Sequence, residues 1–297
     1  MATWDMSQPS VCLEPSILEG YNRISLYNSP YPAHENGCAV DCYPDGDDRL
    51  ARSPIAGTVL ETATVRAPAQ PYALPNDHVI VLECADSGVT VPRGIETPVR
   101  CRILHVNPTV EPGGRIERGD VLGTLIRSGF FAPWVDRHLH VGFRPADCNP
   151  IRATGSLRLE AGISVTPLAW DGRGTVIDRG ETSATLEIPE ANAERATAPD
   201  WTGIGADSGG VLDGGLAHYD GGGLIGGPDG PVHLLGSQVG TATDKTVRWD
   251  DLTVTVDGSP ITGLSLFYHH GKASVKLIWP DHPLWVGDSV RVRIALE

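Results

Sequence analysis

Residues 53–68 read SPIAGTVLETATVRAP. A Pro-Ile-Ala-Gly turn feeds an alternating stretch carrying Val59, Glu61, Thr62 and Val65, and Pro68 closes it. β-Branched residues bounded by Gly and Pro predict a strand. The same signature recurs in HVIVLEC (His78–Cys84) and VRCRILHV (Val99–Val106). PGGRIERGDVLGTLI (Pro112–Ile126) follows as turn, short strand, turn and strand. WVDRHLHVGFRPADCNPI (Trp134–Ile151) ends the series as an alternating strand with a Pro stop.

The rest of the chain fits this mainly β reading. Gly occurs 35 times and Pro 24 times in 297 residues, which leaves little room for long helices. In the second half, short strands are expected around TVIDRG and ATLEIP, and again in TVRWDDLTVTV, GLSLFYHH, ASVKLIWP and DSVRVRIALE. Val290, Val292 and Ile294 alternate with Arg291 and Arg293, the pattern of a half-buried strand. Residues 1–30 read as an irregular lead-in and residues 31–48 as a polar loop. Residues 191–200 read as a linker, and the Gly-dense residues 203–231 as loops and tight turns.

Composition narrows the function. Hydrophobic residues make up 40% of the chain, enough for a packed core. The formal charge of -14, with no basic stripe, argues against nucleic acid and against an anionic membrane surface. There is no run of about 18 apolar residues and no signal-like N-terminus, so a cytoplasmic location is expected. The six cysteines (Cys12, Cys38, Cys42, Cys84, Cys101 and Cys148) all precede residue 150 and are expected as free thiols. Cys38 and Cys42 have no second pair with which to build a Cys-based zinc site.

The chemistry concentrates at HLH, residues 138–140. In a strand, positions i and i+2 face the same way, so His138 and His140 project side by side, about 7 Å apart at Cα. That arrangement suits a metal ligand beside a catalytic base. His105 ends an earlier strand, and His34 and Asp41 lie upstream of the first core strand.

This order resembles the M23 zinc metallopeptidases, the lysostaphin-like or LytM-like family with its duplicated hybrid motif fold. The matching text is PIAGTVLE, HVIVLE, RILHVNPTVEPGGRIERGDVLGTLIRSG, WVDRHLHVGFRP and the closing CNPI, covering about residues 28–152. The resemblance implies an M23-like antiparallel β-sheet or sandwich domain over residues 1–152. A β-rich domain of unknown role would follow over 153–297. It implies a Zn2+ ion held by His34, Asp41 and His140. His138 and His105 would be the non-ligating catalytic pair that moves protons and stabilises charge. The substrate would be a peptide, Gly-rich or of the cell-wall type.

One departure stands out. The family spaces its first His and Asp as H-x3-D, whereas His34 and Asp41 are H-x6-D, with Gly37 four residues before the Asp. Three readings follow. The longer loop still closes on one metal, or Cys38 or Cys42 replaces His34, or the module has lost its metal and serves as a binding or regulatory partner of another protein. PIAGTVLE and GGRIERGDVLGTL also look like carrier-domain text. A lipoyl or biotinyl carrier needs a Lys at a hairpin tip, and none precedes Lys245. A phosphohistidine at His105 or His138 is the remaining phosphotransferase-like reading.

Other candidates read blandly. His78 begins a strand and is expected to pack or face solvent. His218 and Asp220 fall in the Gly-dense stretch. His269 and His270 are adjacent on a strand and so face opposite sides. Trp249, Trp279 and Trp285 read as strand packing, and Asp45, Asp47 and Asp48 as a solvated turn.

Overall fold

The computed structural model describes residues 10–45, 49–95, 97–189 and 201–296. Residues 191–200, read as a linker, and the acidic Asp47 and Asp48 lie outside the described residues. The fold is mainly β, and its α-helices among the described residues are the single turns Pro15–Leu18 and Pro32–Glu35. The chain divides into two compact units: Met1–Ile24 with Asn36–Ile163, and Ser25–Glu35 with Ser164–Glu297.

Five strands carry the first unit: β1 (Val40–Tyr43), β2 (Gly57–Arg66), β3 (Asn76–Cys84), β4 (Arg100–Leu104) and β5 (Leu139–Arg144). They form an antiparallel sheet in the order β2-β3-β4-β5-β1. The register pairs Leu139 with Cys42, Val141 with Ile103, Phe143 with Cys101, and Ile80 with Ile103. All these side chains are buried on one face, which is the core of the unit. Truncating Leu139 or Phe143 there should cost about 3 kcal/mol through lost burial and the void left behind. The opposite face carries Asp41 on β1, His140 and Gly142 on β5, Leu104 and Arg102 on β4, and Val79 and Val81 on β3. Strand alternation thus separates packing from chemistry.

A second small antiparallel sheet joins Leu50–Arg52, Val121–Leu125 and Val106–Pro108. It uses the Gly-Asp hairpin text, whose turn passes through Gly119 at φ +84°. The lead-in is more regular than its sequence suggests. From Ser10 it forms the strand Ser10–Leu13, which runs parallel to Arg158–Ala161. Asp41 is likewise not in a loop. It lies on β1, whose residues VDCY are all buried.

The second unit is built around a twelve-stranded antiparallel array. Its last strand, Ser289–Leu296, buries Val290, Val292 and Ile294 and exposes Arg291 and Arg293, as alternation predicted. The Gly-dense segment differs from expectation. It forms the strands Val211–Leu216, Gly221–Ile225 and Gly230–Leu234. Glycine is needed there because aromatic rings lie flat on the backbone. A Cβ on Gly223 would collide with the Tyr27 ring, and one on Gly222 with the Trp249 ring. None of the six cysteines is in a disulfide; Cys38, Cys42 and Cys101 are buried and the other three half-buried.

Candidate metal centre

Strand pairing builds the site from its two most rigid members. His140 on β5 sits directly opposite Asp41 on β1, in a pair that faces away from the core. Its Nδ1 lies 3.0 Å from Asp41 Oδ1. His138, one residue before β5, turns its Nε2 to within 3.3 Å of the other oxygen, Asp41 Oδ2. The Asp136 carbonyl accepts the Nδ1–H of His138 at 2.8 Å, which fixes the tautomer and leaves the lone pair on Nε2. Both histidines of the HLH triplet thus face one carboxylate.

His34 arrives on the Pro32–Glu35 turn and is buried. Its Nδ1 donates to the Leu26 carbonyl at 2.7 Å, so Nε2 is the atom it can offer to a metal. The three residues by which this segment exceeds H-x3-D are absorbed by a turn through Gly37, at φ +60°, before β1 begins. His34, Asp41 and His140 each offer one ligand atom, and these atoms all lie within 4.8 Å of one another. The cluster can hold a metal ion. It contains neither Cys38 nor Cys42. Cys42 is paired with Leu139 on the core face, and burial pushes its thiol well above its usual value.

Two imidazole nitrogens and one carboxylate oxygen are a donor set that zinc accepts, with bonds of about 2.0–2.2 Å and ligand atoms about 3.3 Å apart in a tetrahedron. The His140–Asp41 separation is already close to that edge.

His105 completes the group. It follows β4 in the left-handed region, at φ +70°, a conformation that costs energy for a residue with a Cβ. Its ring centroid lies 5.1 Å from His138 and 5.8 Å from His140, and Phe131 closes it from a third side at 4.6 Å. What holds it there is Asp77. The Asp77 carboxylate takes the His105 Nδ1–H at 2.5 Å and the His105 backbone N–H at 3.0 Å. The Ser128 hydroxyl also donates to it, at 2.6 Å. Burial would raise the Asp77 carboxyl, but His105 and these hydrogen bonds hold it down at about 2. The ionised carboxylate keeps the proton on Nδ1 and aims the Nε2 lone pair of His105 outward.

Asp77 and Ser128 were not singled out in the sequence. Asp77 precedes HVIVLEC without a motif, and only the β3–β4 register brings it to His105. The remaining candidates have separate roles. His78 meets Thr64 Oγ1 at 3.1 Å, and its backbone N–H donates to Asp77. His218 hydrogen-bonds the Leu216 carbonyl, and burial lowers its pKa to about 4. Asp220 is exposed. His270 stacks on Trp201, while His269 faces the Ser274 carbonyl. Trp249 is buried, Trp279 half-buried and Trp285 exposed beneath Arg179. No helix among the described residues is long and apolar enough to cross a membrane.

A family model described as the N-terminal domain of a domain of unknown function, DUF8155, matches residues 12–161. A second, described as the DUF8155 C-terminal domain, matches residues 166–295. No curated protein and no solved structure matches the chain.

Proposed function

The chain belongs to the DUF8155 family, and from its site we propose that it is a zinc-dependent hydrolase of the M23 type that cleaves peptide bonds. The observation that carries this reading is the convergence of a His34–Asp41–His140 ligand set with two further histidines, His138 beside the second oxygen of Asp41 and His105 held by Asp77. A structural zinc site would enclose its ion with a fourth protein ligand and would have no use for such a pair.

His34, Asp41 and His140 would hold the zinc, which would supply a water of lowered pKa and polarise the carbonyl to be attacked. The protein supplies the rest. His138 presents a lone pair at Nε2, and a proton taken up there finds Asp41 Oδ2 at 3.3 Å to stabilise it. His105 presents Nε2 from a ring fixed by Asp77, so it can return a proton to the leaving amine or, once protonated, stabilise charge on the carbonyl oxygen. Phe131 and Tyr43 pack against the His138 ring, each with its centroid 4.9 Å away, and hold back bulk water. Short peptides, Gly-rich or of the cell-wall type, are the substrate class to screen.

The test is metal content by mass spectrometry on tag-free protein, followed by hydrolysis of pentaglycine and of short alanine peptides. About one zinc per chain, with cleavage abolished by a chelator and restored by zinc, is expected. Protein purified and refilled under zinc that still holds none would overturn the reading, and the fold would then be a binding module.

A further inference from the structure

The sheet face that carries Asp41 and His140 continues past them to an unusual pair of arginines. Gly142 follows His140 by two residues on β5 and pairs with Arg102 on β4, and Arg144 comes two residues later on the same face. A Cβ at Gly142 would meet the Cys38 carbonyl at 3.3 Å and the Ser156 hydroxyl at 3.4 Å, with Arg102 Cγ beside it at 3.9 Å. Arg102 is only 5% exposed and Arg144 is fully buried.

Neither guanidinium has a carboxylate partner among the described residues. Arg144 spends its Nη atoms on the carbonyls of Asn149 and Arg152, pinning the loop after β5. The Arg102 guanidinium makes no hydrogen bond among the described residues, and its buried Nε is without a partner. Burial lowers the Arg102 pKa and the neighbouring Arg144 charge lowers it further; Asp77 pulls the other way without cancelling them, and the value falls to about 10. A buried, unpaired guanidinium beside a second one is costly in a folded chain, and an incoming anion would relieve that cost. A planar fork with five donors matches a carboxylate.

Resting on the peptidase reading above, we propose that Arg102 is a substrate-binding residue that receives a carboxylate of the peptide about two residues from the bond cleaved. The Arg102 row lies two residues along the strands from the His140 row, about 7 Å, which an extended peptide covers in about two residues. Leu104, in the His140 row, and Val81, in the Arg102 row, pack with Val79 and Ile151 in one buried apolar cluster that runs from one row to the other. The carboxylate can come from a free C-terminus or from an acidic side chain.

Calorimetric titration of the full chain as purified distinguishes these, with three probes: tetra-alanine with a free C-terminus, its C-terminal amide, and N-acetyl-Ala-Ala-Glu-Ala-amide. Wild type is expected to bind at least one carboxylate-bearing probe ten-fold or more tightly than the neutral amide, and which probe wins names the source. Arg102→Met should abolish that preference and Arg102→Lys should retain part of it, with zinc content unchanged in both. Equal binding of all three probes, no binding of any, or an undiminished preference in Arg102→Met overturns the proposal. Should Arg102→Met fail to fold, the wild-type preference and its loss or retention in Arg102→Lys decide. Absence of zinc or of cleavage counts against the peptidase reading alone, because the carboxylate preference is read by binding.

Discussion

Asp77 Oδ2 and His105 Nδ1 stand 2.5 Å apart, and the same carboxylate also accepts the backbone N–H of His105. One side chain thus fixes the tautomer of the ring and pays for the left-handed backbone beneath it. Asp77→Asn keeps the shape but allows the amide nitrogen to face Nδ1, which favours the wrong tautomer. Hydrolysis should fall about 10–100-fold, the usual effect of losing an orienting partner. Zinc content should stay at the wild-type level, because Asp77 is not among the ligands. Loss of metal in Asp77→Asn would show that its role is to hold the whole cluster rather than His105.

The division of labour within HLH gives a second expectation. His140→Ala and His34→Ala each remove one of three ligand atoms and should reduce bound zinc to near zero. His138→Ala leaves the ligand set intact and should keep its zinc while losing hydrolysis. Metal content and initial rate measured on the same preparations separate the two outcomes. Zinc lost equally in all three variants would assign His138 to the ligand set.

These expectations rest on residues of unequal legibility. His140 was readable because alternation in a strand is a local rule, and the same rule placed Val290, Val292 and Ile294 inward; His138 falls one residue before the strand and reaches Asp41 from the preceding loop. Asp77 was not readable, because its contact with His105 depends on the register of β3 on β4, which no neighbouring residue encodes. Arg102 carries no sequence signal of its own, and only its pairing with Gly142 places it on the face of Asp41 and His140. The Gly-dense stretch was misread for a physical reason. Glycine reports both tight turns and close approach of a neighbour, and here Tyr27 and Trp249 supply the neighbour.

Within the second unit, Asp213 supports the segment that carries the metal ligand His34. It is fully buried and accepts hydrogen bonds from Ser25 Oγ at 2.5 Å, the Leu26 N–H at 2.6 Å and the Tyr27 N–H at 3.1 Å. The peptide whose N–H belongs to Tyr27 has the Leu26 carbonyl at its other end, and that carbonyl accepts the Nδ1–H of His34. Asp213→Asn places an amide donor against these donors and should weaken zinc binding about ten-fold, as for other residues that orient a ligand. Competition with a fluorescent chelator reads this directly. Unchanged affinity would mean that the His34 turn holds itself.

The same variant tests a pH effect. Burial pushes the Asp213 carboxyl up to about 7, against the pull of its three donors and of His34. The folded value therefore exceeds the unfolded one, near 4, and the native state holds an extra proton between them. The contribution of this group to stability is complete below about pH 4 and declines as pH rises toward 7. The stability of wild type relative to Asp213→Asn should therefore fall across that window. Denaturant unfolding of both proteins at pH 4.5, 5.5 and 6.5 measures it, and a flat difference would show that Asp213 is ionised throughout.

Asp86 and Arg118 should show the opposite dependence. Burial alone would raise the Asp86 carboxyl. Arg118, which donates from both Nε and Nη2, and the N–H groups of Ala56 and Gly88 at 2.9 Å instead hold it at about 2. Here the folded value lies below the unfolded one, so the stabilisation is complete above about pH 4 and is lost as pH falls through 2. Arg118 is about one-third exposed, so water screens part of the attraction. Asp86→Asn should therefore cost about 1–2 kcal/mol at neutral pH. The difference from wild type should shrink between pH 4 and pH 2, because wild type protonates the same group. Thermal unfolding of the two proteins side by side over that range is the measurement. A difference that persists undiminished at pH 2 would assign the effect of the substitution to packing around Ala56 and Gly88 rather than to charge.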